Sequence, residues 1–303
     1  MWTKRTDLAI EAQEIWRESV QEQTELRGVK ARDEILEGFK VTTVEILDDE
    51  GATELCKPTG TYITVELDAF INREERAFDR GATALSMELR KLLGIAGNES
   101  ILVVGLGNSA ITPDAIGPQT ARHTMVTRHL VECIPNHFGT MRRVSVLESG
   151  VLGTTGMESA ELIRAVTEKL RPDRLIVVDA LASRRLSRIC RTVQLADTGI
   201  GIVPGSGVGN SRAAINAETF GIPVTAIGVP TVVDAGTLAA DLAEQAGADT
   251  INPEDFRLFG GSMIVTPKEI DSRVNDISKL IGYGINLALH QGLTMEDITM
   301  FLS

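Results

Sequence analysis

The sequence predicts an α/β fold, a three-layer sandwich with a mostly parallel sheet, and three observations lead there. From residue 101 onward, short apolar runs alternate with segments of helical period, which calls for a parallel sheet with helices on its faces. Ile101-Leu102-Val103-Val104 and Leu175-Ile176-Val177-Val178 are wholly apolar and strand-like, and each leads into Gly or Asp. A chain of 303 residues with 43% hydrophobic content can bury a large core, and residues 1–303 are read as a single domain.

In chain order, the first 27 residues read as a charged helix with Leu8, Ile15 and Leu26 on one side and Glu11, Glu14, Glu18, Glu22 and Glu25 elsewhere. So weak an apolar stripe predicts light packing. Residues 41–46 and 62–67 alternate with period two, and Lys57-Pro58-Thr59-Gly60 supplies a turn between them, which predicts a small antiparallel strand pair. From Arg73 to Leu93 the period becomes helical, with Phe78, Leu85, Leu89 and Leu92 on one stripe. Strands follow at 101–106, 143–147, 174–179, 191–195 and 223–228, and helices at 117–131, 158–170, 232–245 and 269–290. The Gly/Pro/Ser stretches at 148–156 and 199–212 lie at strand ends and are long for such connections, a common trait of functional loops.

Bulk properties exclude several classes. The formal charge of −12, from 30 basic and 42 acidic residues, argues against direct nucleic-acid contact, which draws its affinity from Lys and Arg at phosphates. With aromatics at 4%, a stacking platform for single strands is not expected either. No apolar run approaches the roughly 20 residues a membrane helix needs, and the start, Met1-Trp2-Thr3-Lys4-Arg5-Thr6-Asp7, lacks a signal peptide's apolar stretch. A cytoplasmic protein without membrane contact is the expectation. Cys56, Cys133 and Cys190 are widely spaced without a Cys-x-x-Cys or Cys/His cluster, and read as buried free thiols rather than metal ligands. His123, His129, His137 and His290 have no metal-ligand spacing, so no metal and no cofactor are expected.

The candidate chemistry rests on Asp114 and Asp179, each just beyond a strand-like run. In an open parallel sheet, ligands bind outside the carboxyl ends of the strands, so two acids delivered there can converge on one substrate. Carboxylates held close cannot both ionise cheaply, and a pair sharing a proton suits one to activate water and the other to protonate a leaving group. The competing reading is that each merely caps a helix or closes a turn. Gly105, Gly107 and Asn108 either form part of a dinucleotide fingerprint, which lacks its third glycine, or make a tight turn that positions Asp114. Gly205, Gly207, Gly209 and Asn210 belong to a loop of many N–H groups that suits an oxyanion or an extended peptide, or else only a connection needing positive φ. Asp234 reads as a helix-terminus charge first.

These residues also carry a resemblance. Arg5-Thr6-Asp7-Leu8-Ala9, Val103 to Asn108 followed by Thr112 to Pro118, Thr127 to Leu130, Gly150 to Gly156, Val178 to Ala182, Pro204 to Asn210, Ile227 to Ala235 and Met263 to Glu269 resemble the germination proteases of endospore-forming bacteria. The likeness spans nearly the whole chain. It implies a fold similar to the hydrogenase maturation proteases and an endopeptidase that degrades the small acid-soluble proteins coating spore DNA. It also implies a homotetramer in the forespore and spore core, made as a zymogen that trims its own N-terminus. By the same resemblance Asp114 and Asp179 are the catalytic pair. Gly105, Gly107, Asn108, Gly150, Thr154, Thr155 and the 205–210 loop border the cleft. Asp7, Leu8, Ala9, Ile10 and Glu11 form the propeptide cleavage region, with residues 1–10 a short propeptide. The rival readings are a phosphorylase-like or nucleotide-binding enzyme using the Gly-rich loops, and a scaffold whose acids only cap.

Overall fold

The computed structural model describes residues 6–19, 26–201, 214–246 and 263–303. Within them a nine-stranded sheet contains β1 (Val29–Leu36), β2 (Phe39–Ile46), β3 (Gly60–Glu66), β4 (Ile101–Leu106), β5 (Val144–Gly150), β6 (Arg174–Ser183), β7 (Thr192–Ala196), β8 (Val224–Asp234) and β9 (Ile264–Val265). Across the sheet the order is β1-β2-β3-β7-β8-β6-β4-β5, with β9 paired to the far end of β8.

The α/β class is as the sequence predicts, but the sheet is mixed rather than mostly parallel. β5, β4, β6 and β8 run parallel, whereas β8, β7, β3, β2 and β1 alternate in direction. Connection length explains the change. Only residues 184–191 separate β6 from β7, too few for the crossover of a dozen or more residues that a parallel return requires. The anticipated antiparallel pair exists, with Val41 opposite Val65 and the helix Asp49–Leu55 between its strands, and it joins the same sheet through Tyr62 opposite Ala196. β1 gave no period-two signal because it is an edge strand of mostly exposed residues, Val-Lys-Ala-Arg-Asp-Glu-Ile-Leu.

Helices cover both faces. On one, Ala77–Leu93, Ile116–Arg122 and Ile270–Leu289 bury Leu85, Leu89, Ile116, Ile277 and Leu280 against Val103, Ile176, Val178 and Ile227. On the other, Ser159–Leu170 packs Ile163 on Leu102, Val104, Leu175 and Val177, while Ala9–Ser19 and Asp49–Leu55 cover Val44, Ile46 and Tyr62. Each fully buried aliphatic side chain contributes about 1.5–3 kcal/mol, so the apolar strands at the centre anchor the fold.

Three expectations need correction. The helix foreseen at 117–131 is two helices, Ile116–Arg122 and Arg128–Cys133. The chain breaks between them to bond a neighbouring helix: Met125 N donates to Asn286 Oδ1 at 2.8 Å, and Asn286 Nδ2 donates to His123 O at 2.9 Å. The N-terminal helix, Ala9–Ser19 as described, does not pack lightly, because Leu8, Ala9, Ile10, Glu11 and Gln13 are all buried. Of the cysteines only Cys190 is buried, its thiol pushed up to about 12 by desolvation, whereas Cys56 and Cys133 are exposed.

His290, just beyond the helix Ile270–Leu289, is buried with neither ring nitrogen hydrogen-bonded, and desolvation pushes its pKa down to about 4, with Arg142 adding to the effect. The folded protein thus holds a neutral ring where the unfolded chain takes up a proton near 6.5. Its stability is unaffected above that pH and falls as the pH drops from 6.5 toward 4, by on the order of 3 kcal/mol. Urea unfolding midpoints across this window should decline less steeply for His290→Phe than for the wild type.

Candidate active site

The crevice at the carboxyl edge of the parallel strands follows from two crossovers. β4 leads through the helix Ile116–Arg122, on one face, to β5 on its outer side. β5 returns through the helix Ser159–Leu170, on the opposite face, to β6 on the inner side of β4. At the carboxyl edge the connection leaving β4 turns outward toward β5 and the one leaving β6 turns the other way toward β7, so a gap opens between them, the position where such sheets bind ligands. Asp114 follows β4 and Asp179 sits on β6, so the gap is bounded by one acid from each strand.

Asp114 ends a single 3-10 turn, Thr112–Asp114, and is half-buried. The turn is tied to two layers: Thr231 Oγ1 of β8 donates to Pro113 O at 2.7 Å, and Thr112 Oγ1 donates to Asp271 Oδ1 at 2.6 Å. Asn108 N donates to Asp114 Oδ2 at 2.7 Å, while Asn108 Oδ1 accepts from Ala110 N at 3.0 Å. Asp179, also half-buried, pairs in register with Gly228 of β8, and its Oδ1 accepts from Ala180 N at 2.9 Å.

The glycines around Asp114 serve the chain itself. Gly107 has φ +112°, and a Cβ there would stand 2.0 Å from Asp114 O. A Cβ on Gly105 would stand 2.3 Å from Gly117 O, and one on Gly117 would stand 2.2 Å from Leu106 O and 2.5 Å from Val178 O. The Gly-Leu-Gly run therefore lets a tight turn and a helix start close over β4 and β6, and that space holds no pyrophosphate. Of the two readings open from sequence, the structure selects the turn that positions Asp114.

Gly150, at φ +63°, ends β5 and opens the loop expected to border the cleft. Its carbonyl accepts from Ser149 Oγ and Ser159 Oγ, both at 3.0 Å. The hydroxyls of Thr154 and Thr155 bond the Val151 backbone, closing a local turn. Gly205, Gly207, Gly209 and Asn210 lie outside the described residues. Asp234, read as a terminus charge, accepts from Thr237 N at 2.9 Å at the start of the following helix. Among the described residues no group of three or more His, Cys, Asp or Glu is placed to hold a metal, and no helix is long and apolar enough to cross a membrane.

The region expected to be cleaved, Asp7 to Glu11, is docked on β6 at Ala182, three residues past Asp179. Asp7 N donates to Ala182 O at 3.0 Å, and Ala182 N donates to Asp7 Oδ2 at 2.8 Å. The Asp7 carbonyl receives Lys57 Nζ at 3.1 Å and Gln194 Nε2 at 3.3 Å, and Ala9 N donates to Gln194 Oε1 at 2.7 Å. Glu11 accepts from Arg184 N at 2.7 Å and Arg185 N at 3.1 Å. Burial raises the Glu11 pKa, opposed by these N–H groups, the Thr6 hydroxyl and Arg188, and burial lowers that of Lys57. Sequence reasoning missed Lys57, Gln194 and the Arg184-Arg185 N–H pair. The one available signal was Gln194, a polar residue within the apolar strand Thr-Val-Gln-Leu-Ala.

A family model described as germination protease matches residues 9–246. The germination protease of Caldanaerobacter subterraneus subsp. tengcongensis is 42% identical, with 98% of each chain covered. Those of Clostridium perfringens strain 13 and Clostridium tetani are 40% and 41% identical, with 100% and 99% of each chain covered. Among solved structures, a [NiFe] hydrogenase maturation protease, HycI of Thermococcus kodakarensis, covers 65% of this chain and 98% of its own at 17% identity, with a TM-score of 0.36. A model match over most of the chain and relatives at 40–42% identity lead to one assignment: the chain belongs to the germination protease family, peptidases of spore germination.

Proposed function

We propose that this protein is an aspartate-dependent endopeptidase that degrades small acid-soluble spore proteins, with Asp114 and Asp179 as the catalytic pair. The observation that carries the reading is the position of the two acids, one from each of the neighbouring strands that bound the crevice. In this mechanism the pair holds one proton. The ionised carboxylate takes a proton from water as the water oxygen attacks the scissile carbonyl carbon. The protonated partner gives its proton to the amine nitrogen as the C–N bond breaks. The two groups titrate as a unit, so roles belong to the pair. Gly150 borders the cleft.

The chain works as one peptidase domain and a homotetramer in the forespore and spore core. It is made as a zymogen whose Asp7–Glu11 region is cut. That region is buried and bonded to β6, β7 and the 184–185 link, so cutting requires it first to undock. The test is digestion of purified small acid-soluble spore proteins, read by mass spectrometry, with N-terminal sequencing of the enzyme over the same time course. Internal cleavage of the substrates and appearance of new N-termini between Asp7 and Glu11 are expected. Intact substrates after prolonged incubation with enzyme of either N-terminus would overturn the reading.

A further inference from the structure

The apolar run within β8 contains one hydroxyl. In Ile227-Gly228-Val229-Pro230-Thr231-Val232-Val233 every other residue is apolar or glycine, and Val229 and Val233 lie in the core with Ile277 and Leu280 of the helix Ile270–Leu289. Thr231 is itself wholly buried. A buried hydroxyl is costly unless it is bonded, and valine would fill the same space, so packing alone does not account for a threonine here.

The backbone gives the reason. β6 and β8 run in step from Leu175 opposite Val224 to Leu181 opposite Pro230, and then the register slips, so that Ala182 stands opposite Val232. Thr231 is the extra residue, a bulge without a partner in β6. Pro230, just before it, brings no N–H to the ladder, and a bulge is where an interior strand tolerates proline. Released from the ladder, Thr231 bonds two other parts of the chain. Its Oγ1 donates to Pro113 O at 2.7 Å, and its carbonyl accepts from Thr266 Oγ1, just beyond β9, at 3.0 Å. Bulges beside active sites characteristically re-aim a side chain in this way.

β8 is thereby a common reference for both acids. Gly228 pairs with Asp179, and a Cβ on Gly228 would stand 2.3 Å from the Leu181 side chain, so the two strands lie close at that point. Thr231, three residues or about 10 Å further along the strand, holds the residue before Asp114. Other bonds of the Asp114 turn are local, from Asn108 N to Asp114 Oδ2 and from Asp114 N to Ile111 O at 2.8 Å, or exposed, from Thr112 to Asp271. The local ones fix the shape of the turn. Among these bonds, that from Thr231 refers the turn to the sheet on which Asp179 sits.

We propose that Thr231 is a positioning residue of this peptidase: the bulge in β8 sets the separation of Asp114 from Asp179 by holding Pro113 O, and Thr266 steadies the bulge. The inference rests on the aspartate reading for its catalytic consequence, whereas the placement of the turn is measured without cleavage.

Thr231→Val keeps the shape and removes the donor. With purified small acid-soluble spore proteins as substrate, its kcat should fall about 10²-fold, the effect of moving a reacting group by about 1 Å, while KM stays within about twofold of wild type. Thr231→Ser keeps the hydroxyl and should return kcat to within about threefold of wild type. Hydrogen exchange reads the turn directly: the Asp114 amide should exchange about tenfold faster in Thr231→Val, with Val104 and Val177 still protected. Wild-type kcat in a folded Thr231→Val, equal losses in the valine and serine variants, or unchanged exchange at Asp114 would overturn the assignment. If Thr231→Val does not fold, Thr266→Val carries the test, since it leaves Thr231 in place: faster exchange at Asp114 supports the role of the bulge and unchanged exchange overturns it. Faster exchange at Asp114 in Thr231→Val, together with full cleavage of spore proteins by Asp114→Asn, would keep the positioning and refute the aspartate mechanism.

Discussion

Asp114→Asn and Asp179→Asn should each lower the rate of spore-protein cleavage by about 10³-fold or more, the range expected when a positioned proton-transfer group is removed. Neither should unfold the protein. The amide oxygen of an asparagine can still accept from Asn108 N in the first case and from Ala180 N in the second, so the bonds that fix each side chain survive. The readout is kcat against a fluorogenic peptide, paired with the urea midpoint of each variant. Because the acids act as a unit, the double variant should be scarcely slower than either single one. Full activity in a folded single variant would remove that residue from the mechanism.

The second large effect concerns Gly117, which touches no substrate. An alanine methyl there faces Leu106 O at 2.2 Å and both Leu106 N and Val178 O at 2.5 Å, all main-chain atoms that cannot rotate aside. The helix Ile116–Arg122 must lift from β4 and β6, and overpacking of this kind costs about 1–3 kcal/mol. Asp114 lies two residues before that helix and moves with it. A displacement of about 1 Å at a reacting group is worth roughly 10²-fold in rate. Gly117→Ala should therefore lose activity well beyond its loss of stability. That is measured as kcat at a temperature where circular dichroism shows the variant fully folded. Wild-type kcat in that variant would show that the helix start does not set the position of Asp114.

The strand-like runs that precede Asp114 and Asp179 were legible because each is apolar enough to be read as buried, but β6 runs on to Ser183, so Asp179 lies within it rather than at its end. The core strands were legible for the same reason. β1 was not, since an edge strand rich in charged residues carries no alternation of burial. The direction of β7 was not either, because it depends on the short 184–191 link rather than on any residue within the strand. Glu11 looked like one of a row of solvated acids. Its burial is set by Arg184 and Arg185, more than 170 positions away in sequence, and no local pattern encodes such a partner. The hydroxyls of Thr154 and Thr155 are engaged in a local turn with Val151 O, a bond that no spacing in the sequence distinguishes from a role at a cleft.

The turn carrying Asp114 is pinned on one side to β8 through Thr231 and on the other to the long helix Ile270–Leu289 through Asp271. Sheet and helix layer thus act as the two legs of a caliper, and the aim of this acid reports their relative setting. Any event that slides that helix along the sheet, however distant its cause, turns the acid with it.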